Sequence, residues 1–242
     1  MKKNIRLNIG DNLKSTIGGF SFGKNTPKNF DKHISKSIPL YNQGHEIITR
    51  LSSFFADNNS TFYDLGCSTG TLIKKIDTYN SSHKLNIIGI DLQKKMILMA
   101  KKKNLRNYNK VNFKCSDILK FKFKKSDLIT SYYTIQFLKP KNRQVLFNKV
   151  YKSLNWGGGF IFFEKVRAPD ARFQDMMNQI YQEYKIDNGI NEKQVINKSL
   201  SLRNVLEPYS SEENKKYLKR AGFKDFMTIM KSHSFEGFLA IK

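Results

Sequence analysis

The sequence predicts an α/β fold of the Rossmann-like type, a mostly parallel seven-stranded sheet with helices on both faces and an antiparallel hairpin at its C-terminal end. Three observations carry this expectation. Short apolar runs alternate with helical periodicity from Thr61 to Phe163. Asp64, Asp91 and Asp117 stand at the ends of three successive runs. Two further strand-like runs, Asp225–Lys231 and Phe235–Ile241, are joined only by Ser232-His233-Ser234.

Taken in order, residues 1–30 are polar and punctuated by glycine, which predicts a loosely packed arm holding Phe20, Phe22 and Phe30. From Phe30 to Asp57 apolar residues recur at helical spacing, and Pro39 divides them into two helices. Strands follow at Thr61–Leu65, Leu85–Ile90, Val111–Cys115, Ser126–Ser131 and Phe160–Phe163, the last apolar throughout and so buried on both faces. Helices alternate with them at Thr71–Tyr79, Lys94–Leu105 and Asn142–Leu154, and Trp156-Gly157-Gly158-Gly159 reads as a turn with Trp156 packed. Three polar helices, Asp170–Asp187, Lys193–Val205 and Glu212–Ala221, precede the hairpin. The chain thus reads as a single domain in four parts: arm and helices (1–60), core (61–165), helical lid (166–221) and hairpin (222–242).

With 43 Lys and Arg against 20 Asp and Glu, the formal net charge is +23. Such a charge attracts polyanions, which makes weak nucleic-acid contact through a basic surface an open reading. The lysines are scattered over the whole length, however, and only Lys101-Lys102-Lys103 forms a run, which favours compositional bias. No apolar run approaches membrane-span length and no signal segment is visible, so the expectation is a cytoplasmic chain without a membrane partner. Cys67 and Cys115 lack both a CxxC partner and metal-ligand spacing, which predicts reduced thiols and no metal.

The segment Tyr63-Asp64-Leu65-Gly66-Cys67-Ser68-Thr69-Gly70 ends a strand and opens a helix. Gly66 and Gly70 allow a tight turn and close approach of backbone to a ligand. Ser68 stands where a dinucleotide fingerprint carries its second glycine, which disfavours a pyrophosphate loop. Asp91, 21 positions beyond Gly70, is placed to accept from ribose hydroxyls, with Leu92 beside it. Asp117 can accept from an adenine amino group while Ile118 reads the ring edge, and Asp64 suits a sulfonium and an amino-acid tail. An antiparallel strand added to a parallel sheet separates methyltransferase folds from dinucleotide dehydrogenases. Together these features predict S-adenosyl-L-methionine.

The segments Tyr63–Ser68, Ile135-Gln136-Phe137-Leu138, Leu154-Asn155-Trp156-Gly157-Gly158 and Glu164-Lys165 resemble the carboxy-S-adenosylmethionine synthases, a family of class I methyltransferase fold. So do Ser37-Ile38-Pro39-Leu40-Tyr41 and Ala221-Gly222-Phe223, and the likeness runs from about Phe20 to Lys242. The resemblance implies conversion of S-adenosylmethionine and prephenate to carboxy-S-adenosylmethionine for tRNA wobble-uridine modification, by a homodimer. It places cofactor contacts at Tyr41, Gly66, Cys67, Ser68, Asp91 and Asp117. It fails at two positions. The family's asparagine after the fourth strand is Tyr132 here, and the lid arginine that grips the extra carboxylate is Ser199. Serine offers one neutral hydrogen bond where arginine offers a charged pair.

Lys198 and Arg203 could compensate, Arg203 on the same helical face as Ser199, and Tyr132 could donate its phenol. The more economical expectation is ordinary methyl transfer to a small acceptor beneath the lid, with Tyr132 and Tyr133 as the catalytic candidates lining its pocket. An RNA-binding methyltransferase is a further alternative. His45 reads as a surface or satisfied helix histidine, and Glu164 as a substrate-orienting group or a partner of Lys165 or a lid arginine.

Overall fold

The structure, a computed structural model, describes residues 6–11, 13–20 and 26–242. Phe22 of the expected arm lies outside the described residues. The part of the arm described around it is not loose: β1 (Leu7–Asn8) and β2 (Lys14–Ser15) pair as a short antiparallel ribbon. Two helices follow, α1 (Thr26–Ser37) and α2 (Tyr41–Ser52), broken at Pro39 as the sequence predicts, with Leu40 turned into the left-handed region at φ 54°.

The alternation then proceeds through β3 (Thr61–Leu65), α3 (Thr71–Tyr79), β4 (Asn86–Asp91), α4 (Lys94–Lys103), β5 (Lys110–Cys115), β6 (Ser126–Tyr132), α5 (Pro140–Ser153) and β7 (Leu154–Arg167). After these come α6 (Ala171–Asp187), α7 (Glu192–Ser201), β8 (Tyr209–Ser210), α8 (Ser211–Ala221), β9 (Asp225–Ser232) and β10 (Phe235–Ile241). The strands lie in the order β5-β4-β3-β6-β7-β10-β9, with the two-residue β8 pairing beside β7. All pairs from β5 to β7 are parallel, whereas β10 runs antiparallel to both β7 and β9. The strand order reverses between β3 and β6. A crevice therefore opens at their carboxyl ends, where open α/β sheets bind ligands.

The sheet is held from both faces through β7. Phe160, Ile161, Phe162 and Phe163 are all fully buried. Side chains alternate along a strand, so Ile161 and Phe163 join Phe62, Ile73 and Ile87 on one face. Phe160 and Phe162 join Leu146, Phe147 and Phe238 on the other. Burying each such ring stabilises the fold by roughly 1.5–3 kcal/mol. The glycine run predicted as a turn is part of β7 itself. Its entry pairs with the chain end through Gly157 N–H to Lys242 O (2.8 Å) and Lys242 N–H to Gly158 O (3.1 Å). Trp156 is 89% exposed there and packs into no core.

The expected lid divides in two. α6 begins at the Asp170 cap, whose carboxylate accepts from Phe173 N–H, and α7 at a capping box of Asn191 and Gln194. α8 instead packs against α5, its Tyr217 ring stacked on Phe147 at 5.3 Å, and so belongs to the sheet layer. The N-terminal ribbon lies on α7: Leu7, Ile9 and Leu13 form a small core with Leu200, and Asn197 donates to Asn8 O at 2.8 Å. Lid and arm are thus one packed unit, which local sequence pattern does not reveal because the partners lie nearly the whole chain apart.

Gly159 lets the Phe55 ring lie across β7, since a Cβ there would stand 2.5 Å from the ring. Gly159→Ala is expected to destabilise the fold by about 1–3 kcal/mol, as overpacking does. A urea unfolding curve with its midpoint unchanged would contradict this packing.

Candidate functional site

The loop after β3 is built by hydrogen bonds to β4. Gly66 and Cys67 both donate their N–H to Ile90 O, at 2.7 and 3.0 Å. Gly66 takes φ 77° and a Cβ on it would fall 2.1 Å from Thr134 Oγ1, so the position excludes any side chain. Ser68 N–H donates to Asp91 Oδ2 (3.0 Å) and Gln93 N–H to Asp91 Oδ1 (2.8 Å). The Asp91 carboxylate is thereby fixed with lone pairs to spare on both oxygens. Burial pushes its pKa up, and the two N–H donors oppose that shift.

Asp64, near the end of β3, is buried, with its Oδ1 accepting from Thr130 Oγ1 at 2.8 Å. Burial raises its pKa to about 7 despite that donor. A carboxyl held there is stabilised as the anion by any cation that enters beside it. Asp117 follows β5 and its Oδ1 accepts from Leu119 N–H at 2.9 Å, which fixes the turn carrying Ile118.

One cavity of about 800 Å3 gathers these groups. Its wall includes Tyr41, Asp64, Gly66, Cys67, Ser68, Asp91, Leu92, Asp117 and Ile118, with Tyr132, Tyr133, Lys198, Ser199 and Arg203 around the rest. Gly70 is the exception among the residues singled out by sequence. It caps α3 at φ 73° and packs against Ala100, Asn104 and Phe113, so its role is in joining α3 to α4. The size suits a nucleoside cofactor with room for a second small molecule. The fit to S-adenosylmethionine rests on the donor set: an acid with free lone pairs at Asp91, and a buried acid at Asp64 that lacks a cation.

An aromatic wall borders the same cavity. Tyr41, His45, Tyr132 and Tyr133 pack with ring centroids 4.6–6.3 Å apart. The Tyr132 hydroxyl donates to Tyr41 O at 2.6 Å, so its proton is committed to backbone and is not offered to a ligand. Tyr132 fits only because residue 44 is glycine, where a Cβ would lie 2.3 Å from the phenol oxygen. His45 is neither a surface nor a satisfied histidine. It is buried in this wall, its Nδ1 has no hydrogen-bond partner, and burial lowers its pKa to about 3, so it is neutral.

The lid side of the cavity is cationic. Lys165, at the end of β7, and Lys185, on α6, both approach the Tyr181 ring, at 4.6 and 4.1 Å. Lys198 on α7 completes the group. Burial lowers Lys165 and Lys185 to about 8 and Lys198 to about 7, and the charged neighbours that add to these shifts are themselves cations. Among the described residues none of the three ammonium groups forms an ion pair with a carboxylate. α7 ends at Ser201, so Arg203 lies in the following turn and not on the helical face of Ser199, although both border the cavity. Glu164 serves neither substrate nor lysine: its two oxygens accept from Ile135 and Gln136 N–H, at 2.9 and 2.7 Å, and hold the turn after β6. Sequence reasoning missed Lys165, Lys185 and Tyr181 as site residues. A spacing of four between Tyr181 and Lys185 was the one local signal, and it is common on ordinary solvated helices.

Among the described residues no group of His, Cys, Asp and Glu comes together to hold a metal, and no helix is long and apolar enough to cross a membrane. Residues 62–158 match the family described as methyltransferase domain. A carboxy-S-adenosyl-L-methionine synthase of Staphylococcus epidermidis is 37% identical over 217 residues, covering 90% of this chain and 94% of that one. One from Wolinella succinogenes is 37% identical over 228 residues, covering 92% and 93%. A solved S-adenosylmethionine-dependent methyltransferase from Clostridium acetobutylicum shares the fold, with TM-score 0.62 and 17% identity over 88% of this chain and 96% of that one. The expected fold and cofactor therefore stand: with its loop, its acidic strand ends and relatives that match over nine-tenths of both chains, this S-adenosylmethionine-dependent transferase belongs to the carboxy-S-adenosyl-L-methionine synthase family.

Proposed function

We propose that the chain makes carboxy-S-adenosylmethionine, using prephenate as the second substrate. One observation carries the choice over plain methyl transfer: three ammonium groups without carboxylate partners, Lys165, Lys185 and Lys198, share the cavity with the cofactor loop. Buried cations held without counter-ions are costly, and an anionic ligand offsets that cost. Methyl transfer to a neutral acceptor would use at most one of them, on the cofactor's own amino-acid carboxylate. The serine at 199 therefore removes one cation from a pocket that keeps several.

In this reading Asp91 accepts from the ribose hydroxyls, Asp117 from the adenine amino group, and Asp64 faces the positive end of the cofactor. Gly66, Cys67 and Ser68 provide close backbone, while Leu92, Ile118 and Tyr41 frame the nucleoside. Tyr132 and Tyr133 act as an apolar wall that shapes the space beside the sulfonium and excludes water. Arg203 and Ser199 border the entrance. When bound, the cofactor would supply a sulfonium-activated methyl carbon that exchanges one proton for the ring carboxyl group of prephenate, which leaves as phenylpyruvate while its hydroxyl takes the proton and departs as water. The chain's own contribution is to hold the two ligands in contact in a dry space.

The same reading includes a cytoplasmic homodimer that supplies tRNA wobble-uridine modification. Phe173, Met176 and Ile180 form an exposed apolar stripe along α6, and such a stripe suits a second copy. Light scattering that gives a monomer at micromolar concentration would remove the dimer from it. Direct RNA contact through the basic surface is the remaining alternative, and binding that steepens at low salt would favour it.

Mass spectrometry of protein incubated with S-adenosylmethionine and prephenate should find a cofactor heavier by one carboxylate. Formation of S-adenosylhomocysteine alone, with a methylated small acceptor, would replace this reading by methyl transfer. Asp91→Ala should weaken S-adenosylmethionine binding by at least about tenfold, because a hydrogen bond to a charged group contributes roughly 1.5–3 kcal/mol. Equal affinities by calorimetry would show the ribose contact to be misassigned.

The Asp64 carboxyl gives a pH signature. Its pKa is raised to about 7 in the free chain, and an adjacent cation lowers it, so cofactor binding should release a proton near neutral pH. Affinity should accordingly rise as pH increases from 6 to 8. Calorimetry in two buffers of different ionisation enthalpy measures that proton, and Asp64→Asn should abolish it.

A further inference from the structure

Lys198 differs from the other two lysines in having a polar relay behind it. Its Nζ stands 3.2 Å from His33 Nε2, and His33 Nδ1 stands 2.9 Å from Asp11 Oδ2. The Asp11 carboxylate only accepts, so the ring proton lies on Nδ1 and the neutral ring leaves Nε2 to accept from Lys198. Burial and the nearby Lys198 charge lower the His33 pKa to about 4, which keeps the ring in that neutral form. One hydrogen of the Lys198 amine is thereby committed to His33, which borders the same cavity, leaving two for a ligand. The Phe20 ring, 3.7 Å from Nζ, limits its swing.

The relay is assembled from three separate parts of the chain. Lys198 comes from α7, His33 from α1, and Asp11 from the turn between β1 and β2. That turn is shaped for contact: Gly10 takes φ 94°, and a Cβ there would meet Gln194 Oε1 at 3.3 Å. Asp11 itself has φ 48°, a strained choice for a residue with a side chain, which the packing of ribbon on α7 holds in place. Lys36 Nζ, at 3.9 Å, is the other cation near Asp11.

We propose that Lys198 binds a carboxylate of the ligand, and that Asp11 and His33 are positioning residues that aim it, so that the N-terminal ribbon completes the site. This rests on the carboxylate-bearing ligand proposed above. The carboxylate meant is the one added to the cofactor or one of prephenate, not the amino-acid carboxylate that both forms of the cofactor share, and direct titration separates the three.

Calorimetry with S-adenosylmethionine, carboxy-S-adenosylmethionine and prephenate should show Lys198→Met weakening at least one carboxylate probe by about tenfold or more, while S-adenosylmethionine changes by less than about threefold. Which probe responds locates the carboxylate. Lys198→Arg should restore much of the loss. Asp11→Asn and His33→Leu should weaken the same probe by a smaller factor, whereas His33→Gln, whose amide can still accept from Lys198, should retain affinity. Melting temperatures within about 2 °C of the parent would exclude loss of fold as the cause. Equal weakening of all three ligands by Lys198→Met, or no weakening of any, overturns the proposal. Unchanged binding in Asp11→Asn and His33→Leu overturns the positioning role. A parent protein that binds neither carboxylate probe defeats the proposed function as well, whereas a parent that binds them as tightly as Lys198→Met does defeats only this inference.

Discussion

A single carbonyl sets the geometry of the site. Ile90 O accepts from both Gly66 and Cys67, and the neighbouring Asp91 accepts from Ser68, so the loop after one strand is folded down onto the end of the next. Because β3 and β4 are paired in parallel register with Leu65 beside Ile90, Asp64 and Asp91 arrive at the same carboxyl-terminal edge of the sheet. The reversal of strand order between β3 and β6 then leaves an opening above that edge. The requirement for glycine at 66, the left-handed turn at Ser68 and the close approach of Thr134 all follow from this one fold of backbone.

The cavity above it is electrically divided. Acids lie on the sheet side, at Asp64, Asp91 and Asp117, and amines lie on the lid side, at Lys165, Lys185 and Lys198. Each set is partly buried, and within the cavity neither neutralises the other by contact. A ligand that is positive at one end and negative at the other crosses that division in a single orientation, so polarity as well as shape selects what binds. The aromatic wall contributes no free phenol from Tyr132, whose hydroxyl is tied to Tyr41 O.

The parts legible in the sequence are those where the signal is local. The strand Thr61–Leu65, the helix Thr71–Tyr79 and the strand Phe235–Ile241 appear with the expected bounds because periodicity and glycine placement determine them. The acidic strand ends were legible for the same reason, since each ends its own run. What was not legible is whatever depends on residues distant in the chain. Arg203 seemed to share a face with Ser199, but the helix stops at Ser201 where Ser201 Oγ turns back to Lys198 O. His45 looked like an ordinary helix residue, and only the packing of Tyr41 and Tyr132 buries it. Glu164 looked available, and the turn after β6 takes both its oxygens. Trp156 reads in sequence as packed at a turn, and it is exposed on a strand whose following glycines pair with the chain end.

The contact between Gly44 and Tyr132 ties the choice of residue at one position to the choice at the other. A tyrosine at 132 requires the absence of a Cβ at 44, because the phenol oxygen occupies that space. A helix-interior glycine costs about 1 kcal/mol relative to alanine, so nothing in α2 alone would retain it. The two positions therefore form one packing unit, in which α2 gives up helix propensity so that the phenol can lie against its backbone. Alanine at 44 would force the Tyr132 ring out of its seat and break its bond to Tyr41 O.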